Sequence, residues 1–158
     1  MGYLIGSNPG ATVANLTDGK AFGLGDRLDS HNGNTYVYVQ ANGAIVAYDA
    51  VGIDENFQAA KLTKTMTDAG WKIGVAQVGF ADDEYGWVAV RGSSSLKVKV
   101  LGACAADASL YTSGTAGSLD DASTSQTRID GIVILTAAAT AATAASCLIA
   151  VEPSVEAI

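Results

Sequence analysis

The sequence predicts an all-β protein with two similar halves behind an extended N-terminal arm. Three observations carry this. The 158 residues include 18 Gly and only 2 Pro; a glycine share of about 11% against a usual ~7% is what many tight turns between short strands require. Runs such as Thr35-Tyr36-Val37-Tyr38-Val39-Gln40 place β-branched and aromatic residues between clusters of turn formers. One phrase recurs at an offset of about 56 to 61 residues, the mark of an internal repeat.

Residues 1–20 hold the turn formers Ser7, Asn8, Pro9 and Gly10 and no sustained period of 2 or 3.6, which predicts an extended arm. Residues 21–158 then form one β-rich domain. Its first hairpin joins residues 21–28 to 35–40, and Asn32-Gly33 is the pair that a type I′ turn prefers, because both central positions need positive φ. The repeat spans roughly residues 41–92 and 100–152. Ala47-Tyr48-Asp49-Ala50-Val51-Gly52-Ile53 opens one copy and Ala105-Ala106-Asp107-Ala108-Ser109-Leu110-Tyr111 the other, which aligns Asp49 with Asp107. Lys72-Ile73-Gly74-Val75 then faces Arg128-Ile129-Asp130-Gly131, and Trp87-Val88-Ala89-Val90 faces Leu148-Ile149-Ala150-Val151. An Asp just before a small apolar run predicts a turn whose carboxylate accepts backbone N–H groups.

Between the copies, Ser95-Leu96-Lys97-Val98-Lys99-Val100 alternates apolar with basic residues. That pattern predicts a half-buried linking strand with Lys97 and Lys99 outward. Residues 56–64 favour a turn or two of helix. The Ala-rich stretch 137–145 has two readings, a helix by intrinsic propensity or a hairpin strand by its place in the second copy and its Thr content.

Composition excludes several classes of function. Nine Lys and Arg against 16 Asp and Glu give a formal charge of -7, so phosphate repulsion disfavours nucleic acid and anionic membranes as partners. A hydrophobic share of 49% with 16% charged residues fits a folding chain rather than a disordered acidic tail. The uncharged stretch 131–151 is long enough to cross a bilayer, but its Ala and Thr centre inserts poorly. The opening MGYLIGSNPG shows neither a basic leader region nor a myristoylation pattern. Two cysteines, Cys104 and Cys147, are too few for a disulfide scaffold, and synthesis in a reducing cytosol is expected.

No reactive constellation stands out. His31 is the single histidine and falls in the predicted hairpin turn, where a surface role is expected rather than a walled catalytic pocket. Asp82-Asp83-Glu84 is the densest acidic cluster, but consecutive side chains at a hairpin tip diverge rather than converge on a cation. The run from Asp29 to Asn34 departs from a calcium-binding EF-hand loop at its third position, in its glycine placement and at its twelfth position. Cys104 and Cys147 lack the partners of a zinc site and are expected as small buried hydrophobes. Gly23-Leu24-Gly25 enters a hairpin rather than a phosphate-cradling helix. Trp71, Trp87, Tyr36 and Tyr38 suit a core or a subunit contact, with a carbohydrate platform as the other use of aromatics on a β surface.

Several phrases carry a likeness. Ala21-Phe22-Gly23-Leu24-Gly25, Tyr36-Val37-Tyr38-Val39-Gln40-Ala41-Asn42-Gly43-Ala44-Ile45, Lys72-Ile73-Gly74-Val75-Ala76 and Gly86-Trp87-Val88-Ala89-Val90-Arg91-Gly92 resemble capsid decoration (cement) proteins of tailed bacteriophages, and Leu110-Tyr111-Thr112-Ser113-Gly114 looks like that family's repeat. The likeness covers roughly residues 20–152, and the Ala-Thr-rich segment 136–146 departs from it. It implies a compact β-barrel or β-sandwich and a structural virion protein, made in the host cytoplasm, that sits as a homotrimer on the outer surface of an icosahedral head. The implied partners are the major capsid protein and further copies of the chain, without nucleic acid, membrane, enzymatic activity or cofactor. In that setting Tyr3, Leu4, Ile5, Val13 and Leu16 of the arm are the expected capsid or subunit contacts, through strand addition. The alternative is a phage fibre or a receptor- or glycan-binding β module.

Overall fold

A computed structural model describes residues 21–124, 126–139 and 142–155. The arm over residues 1–20, and with it Tyr3, Leu4, Ile5, Val13 and Leu16, lies outside the described residues.

Among the described residues the chain is almost wholly β, in ten strands. β1 (Arg27–Asp29) and β2 (Thr35–Ala41) form the expected antiparallel hairpin, with Leu28 opposite Tyr36. Its turn differs from the type I′ expectation. Ser30 N–H donates to Asn34 O at 2.8 Å and Gly33 N–H to Ser30 O at 2.9 Å, and Gly33 is the turn residue with positive φ, 83°. This is a three-residue loop ending in a left-handed glycine, which needs one positive φ where a type I′ turn needs two.

β3 (Ala50–Ile53), β4 (Gln58–Lys61), a short helix α1 (Lys64–Asp68), β5 (Lys72–Ala76) and the 16-residue β6 (Tyr85–Val100) follow. The helix expected over residues 56–64 is therefore corrected. Gln58–Lys61 is a strand because Asp54 Oδ1 accepts the N–H groups of Asn56 and Gln58 at 2.9 and 2.8 Å and turns β4 back onto β3. Helix begins only at Lys64, where that pairing has ended.

β2, β4, β3, β5 and the first half of β6 close into a five-stranded barrel. Its steps are parallel between β2 and β4 and antiparallel elsewhere, ending where β6 returns to β2 with Tyr38 opposite Trp87. The second half of β6 continues with β7 (Leu110–Thr112), β8 (Leu119–Asp120), β9 (Arg128–Ile134) and β10 (Ala142–Val155). These repeat the same steps in the same order. β6 meets β8 in parallel at Val100 and Leu119, β8 pairs β7, β7 pairs β9, β9 pairs β10, and β10 returns to β6 with Cys147 opposite Leu96. One long strand thus serves both rings. The Ala-rich segment resolves in favour of strand: Ala138 bridges Cys104, and β10 begins at Ala142.

The two rings equate Asp107 with Tyr48, not with Asp49. Ile45 bridges Phe80 in the first ring as Cys104 bridges Ala138 in the second. Three residues later, Tyr48 N–H donates to Ala76 O at 2.7 Å and Asp107 N–H to Ile134 O at 3.0 Å, each from a residue with left-handed φ of 72° and 58°. Backbone conformation sets this correspondence, whereas matching by residue type slips it by one.

The barrel interior holds Val37, Val39, Val51, Ile53, Val88 and Val90. Its outer face on the β2, β5 and β6 side, with Tyr36, Tyr38, Ile73, Val75, Trp87 and Ala89, packs into one cluster with Leu96, Val98, Leu110, Leu119, Ile132 and Ile149 of the second ring. Both faces of β2 are therefore buried, which is why its sequence reads as a continuous apolar run rather than an alternation. Each such side chain contributes about 1.5–3 kcal/mol relative to exposure. No helix among the described residues is long and apolar enough to cross a membrane.

Candidate functional site

The most connected polar site lies where the rings meet. The elbow between β2 and β3 brings Tyr48 and Asp49 against the second half of β6. Lys99 N–H donates to Tyr48 O at 2.8 Å, Ala50 N–H to Gly117 O at 2.8 Å, and Gly117 N–H to Leu62 O at 3.0 Å. Asp49 is fully buried. Its Oδ2 accepts the Val46 N–H at 2.9 Å, the backbone bond its turn setting predicts. Lys99 Nζ lies 3.2 Å from Oδ1 and Lys61 Nζ 3.4 Å from Oδ2. A carboxylate without water survives only with such partners.

Lys99 stands on the polar face that the alternation predicts, but its partner is one the sequence does not announce. The alternation of Ser95 to Val100 is real, with Leu96, Val98 and Val100 buried, but the opposite face is covered. Lys97 Nζ donates to Ser146 Oγ at 2.6 Å, and Lys99 reaches Asp49. A strand's own period tells which face is polar, not what lies across from it. The part played by Lys61 has no local signal at all.

The other elbows reuse the geometry with different acids. Glu84 Oε2 accepts the Ala81 N–H at 2.7 Å, three residues back, as Asp49 does from Val46. In the second ring Ala108 replaces Asp49, and the orphaned Ala105 N–H is taken by Asp121 Oδ2 at 2.9 Å. Asp82 and Asp83 go to Gly43 N–H and Gln40 Nε2 at 2.6 and 3.3 Å. The cluster Asp82-Asp83-Glu84 thus diverges onto three separate partners.

Cys104, Asp120 and Asp121 do converge, with one ligand atom from each lying within 4.8 Å of the others. Their bonds are internal: Cys104 Sγ donates to Leu101 O and Asp120 Oδ1 at 3.6 Å each, and Asp121 holds the Ala105 amide. Burial pushes the Cys104 thiol up, and the nearby carboxylates add to this, so it is a protonated donor here. Both cysteines are buried and free, and burial raises Cys147 to about 12 against a small opposing effect of Lys97.

Tyr36, Tyr38 and Trp87 are buried. Phe22 packs on Tyr38 and Trp87 with ring centroids 5.3 and 5.2 Å apart, and Tyr38 on Trp87 at 5.0 Å. Trp87 Nε1 has no acceptor among the described residues. These rings serve the core rather than a platform. His31 is exposed on the rim of a polar groove of about 550 Å³ between the first hairpin turn and the middle of β6. Ser95 in that groove is engaged by Asn34, whose Nδ2 donates to Ser95 Oγ at 2.9 Å while its Oδ1 accepts from Ser93 N–H at 3.2 Å. That joint fastens the turn to β6. The sequence matches no protein-family model and no curated protein.

Proposed function

We propose that this chain is a structural virion protein, a capsid decoration (cement) protein that binds the outer surface of an icosahedral phage head as a homotrimer and stiffens it. The observation that carries the reading is the welding of two closed β rings through one shared strand and a buried ion cluster. Such a unit bears load and offers a poor setting for turnover. The likeness over residues 20–152 points the same way. β1 adds a place for assembly. Its strand pairing among the described residues is with β2, and a sheet can take up an extended segment by main-chain bonding.

The proposed contacts are Tyr3, Leu4, Ile5, Val13 and Leu16 of the arm. Fixing an arm costs about 1–2 kcal/mol per residue, so strand addition and apolar burial must exceed that. The test compares full-length protein with a deletion of residues 1–20 on undecorated heads built from the cognate major capsid protein. Bound copies in multiples of three, lost on deletion while the thermal midpoint stays put, support the reading. Equal binding by the truncated form, or a stoichiometry without threes, overturns it.

A further inference from the structure

We propose that the groove between the first hairpin turn and the middle of β6 binds an oligosaccharide, stacked on Tyr48. Capsid attachment does not depend on this.

The ring of Tyr48 is there at a backbone cost. Three elbows hold a residue with left-handed φ at the same place: Tyr48 at 72°, Asp83 at 65° and Asp107 at 58°. Each donates its N–H across the barrel, to Ala76 O, Ala41 O and Ile134 O at 2.7, 3.0 and 3.0 Å. Two of the three are aspartates, which tolerate that conformation, whereas an aromatic residue there is strained. The strained one is also the one of the three that lines the groove. Strain kept at a groove wall points to use of the side chain.

The rest of the lining suits sugar oxygens. Among the described residues none that lines the groove is acidic, although the chain carries a formal charge of -7. Ser95 Oγ accepts from Asn34, which leaves its O–H to donate. Lys97 gives one ammonium hydrogen to Ser146 and has two more. His31 and Asn32 stand exposed at the rim. Gln77 is fixed at both ends of its amide on the Lys97 backbone, at 2.9 and 3.0 Å, so the wall is set before a ligand arrives. A volume of about 550 Å³ is in the range of small-ligand clefts. The lining is more polar than apolar, which suits a sugar better than an apolar peptide anchor; hydroxyl, acetamido or carboxylate oxygens of a sugar meet donors, and its ring face meets Tyr48.

The test is a glycan array of bacterial surface oligosaccharides probed with the full chain, followed by amide NMR titration with the strongest binder. Shifts should concentrate at His31, Asn32, Tyr48 and Ser95. Tyr48→Asn removes the ring while keeping a residue that tolerates left-handed φ, so it should hold or raise the thermal midpoint and weaken binding by about tenfold or more. Ser95→Ala should weaken it less. No binder on the array, or a Tyr48→Asn protein that binds as well as the parent, overturns the proposal. Head binding by Tyr48→Asn should be unchanged, which separates failure here from failure of the decoration reading.

Discussion

Asp49 of the first ring and Lys99 of the second form an ion pair at 3.2 Å in which the carboxylate is wholly buried and the lysine side chain keeps 27% exposure. The asymmetry decides what each partner contributes. Lys99 retains water and, when unpaired, can turn to it; Asp49 cannot.

Removing a lysine should therefore cost more than removing the carboxylate. Lys99→Met leaves the buried Asp49 carboxylate with Lys61 as its remaining ion-pair partner, and the expected loss is about 3 kcal/mol in urea unfolding. Asp49→Ala orphans the Val46 N–H and frees two partly exposed lysines that can turn to water, and should cost about 1–2 kcal/mol. If Asp49→Ala unfolds at the parental urea midpoint, the ion cluster does not hold the rings together.

Gly117 is the glycine whose replacement should hurt through packing as well as backbone. Its φ is 81°, and an added Cβ would lie 2.8 Å from Asp49 Cγ. At Gly43, with φ 94°, nothing lies within 4 Å of that position. Gly43→Ala should cost about 1 kcal/mol, the backbone penalty alone, and Gly117→Ala clearly more. Equal thermal shifts would show that the Gly117 elbow moves aside freely.

The stability contributed by Asp68 should fade in acid. Its carboxyl is held below its ordinary value of 3.8 first by the hydrogen bond from Lys64, then by that from Thr127, with desolvation opposing them. A depressed native pKa adds stability above the unfolded value, and that stability is lost as pH falls through the native one. The stability difference between parent and Asp68→Asn should be flat above about pH 5 and shrink below pH 4. A difference that persists unchanged at pH 2 would contradict the assignment.

The two thiols should be silent in the native protein. With Cys147 raised to about 12 by burial and Cys104 raised as well, thiolate is scarce at neutral pH and access is blocked. Ellman's reagent at pH 8 should react only at the unfolding rate, and rapidly with both in denaturant. The Cys147 shift also means that stability is complete below the unfolded pKa of 9.0 and declines as pH rises toward 12. Fast labelling of the folded chain would place a cysteine at the surface.

Much of this was legible before any coordinates. The β-branched and aromatic runs mark strands, and Asn32-Gly33 marks a reversal of direction, because steric preference and turn chemistry act between residues near in sequence. The acceptor role of Asp49 toward a nearby N–H was legible for the same reason. What faces Lys99, which residue matches Asp107, and the continuity of β6 from Tyr85 to Val100 were decided only by the tertiary structure. Each depends on pairing between distant segments. Gln40 meets Gln58 and Val100 meets Leu119 in parallel to close the rings, and only after closure does the Tyr48 elbow come to cover the lysine face of β6. A strand's sequence fixes its alternation, while the barrel's closure fixes what each face meets.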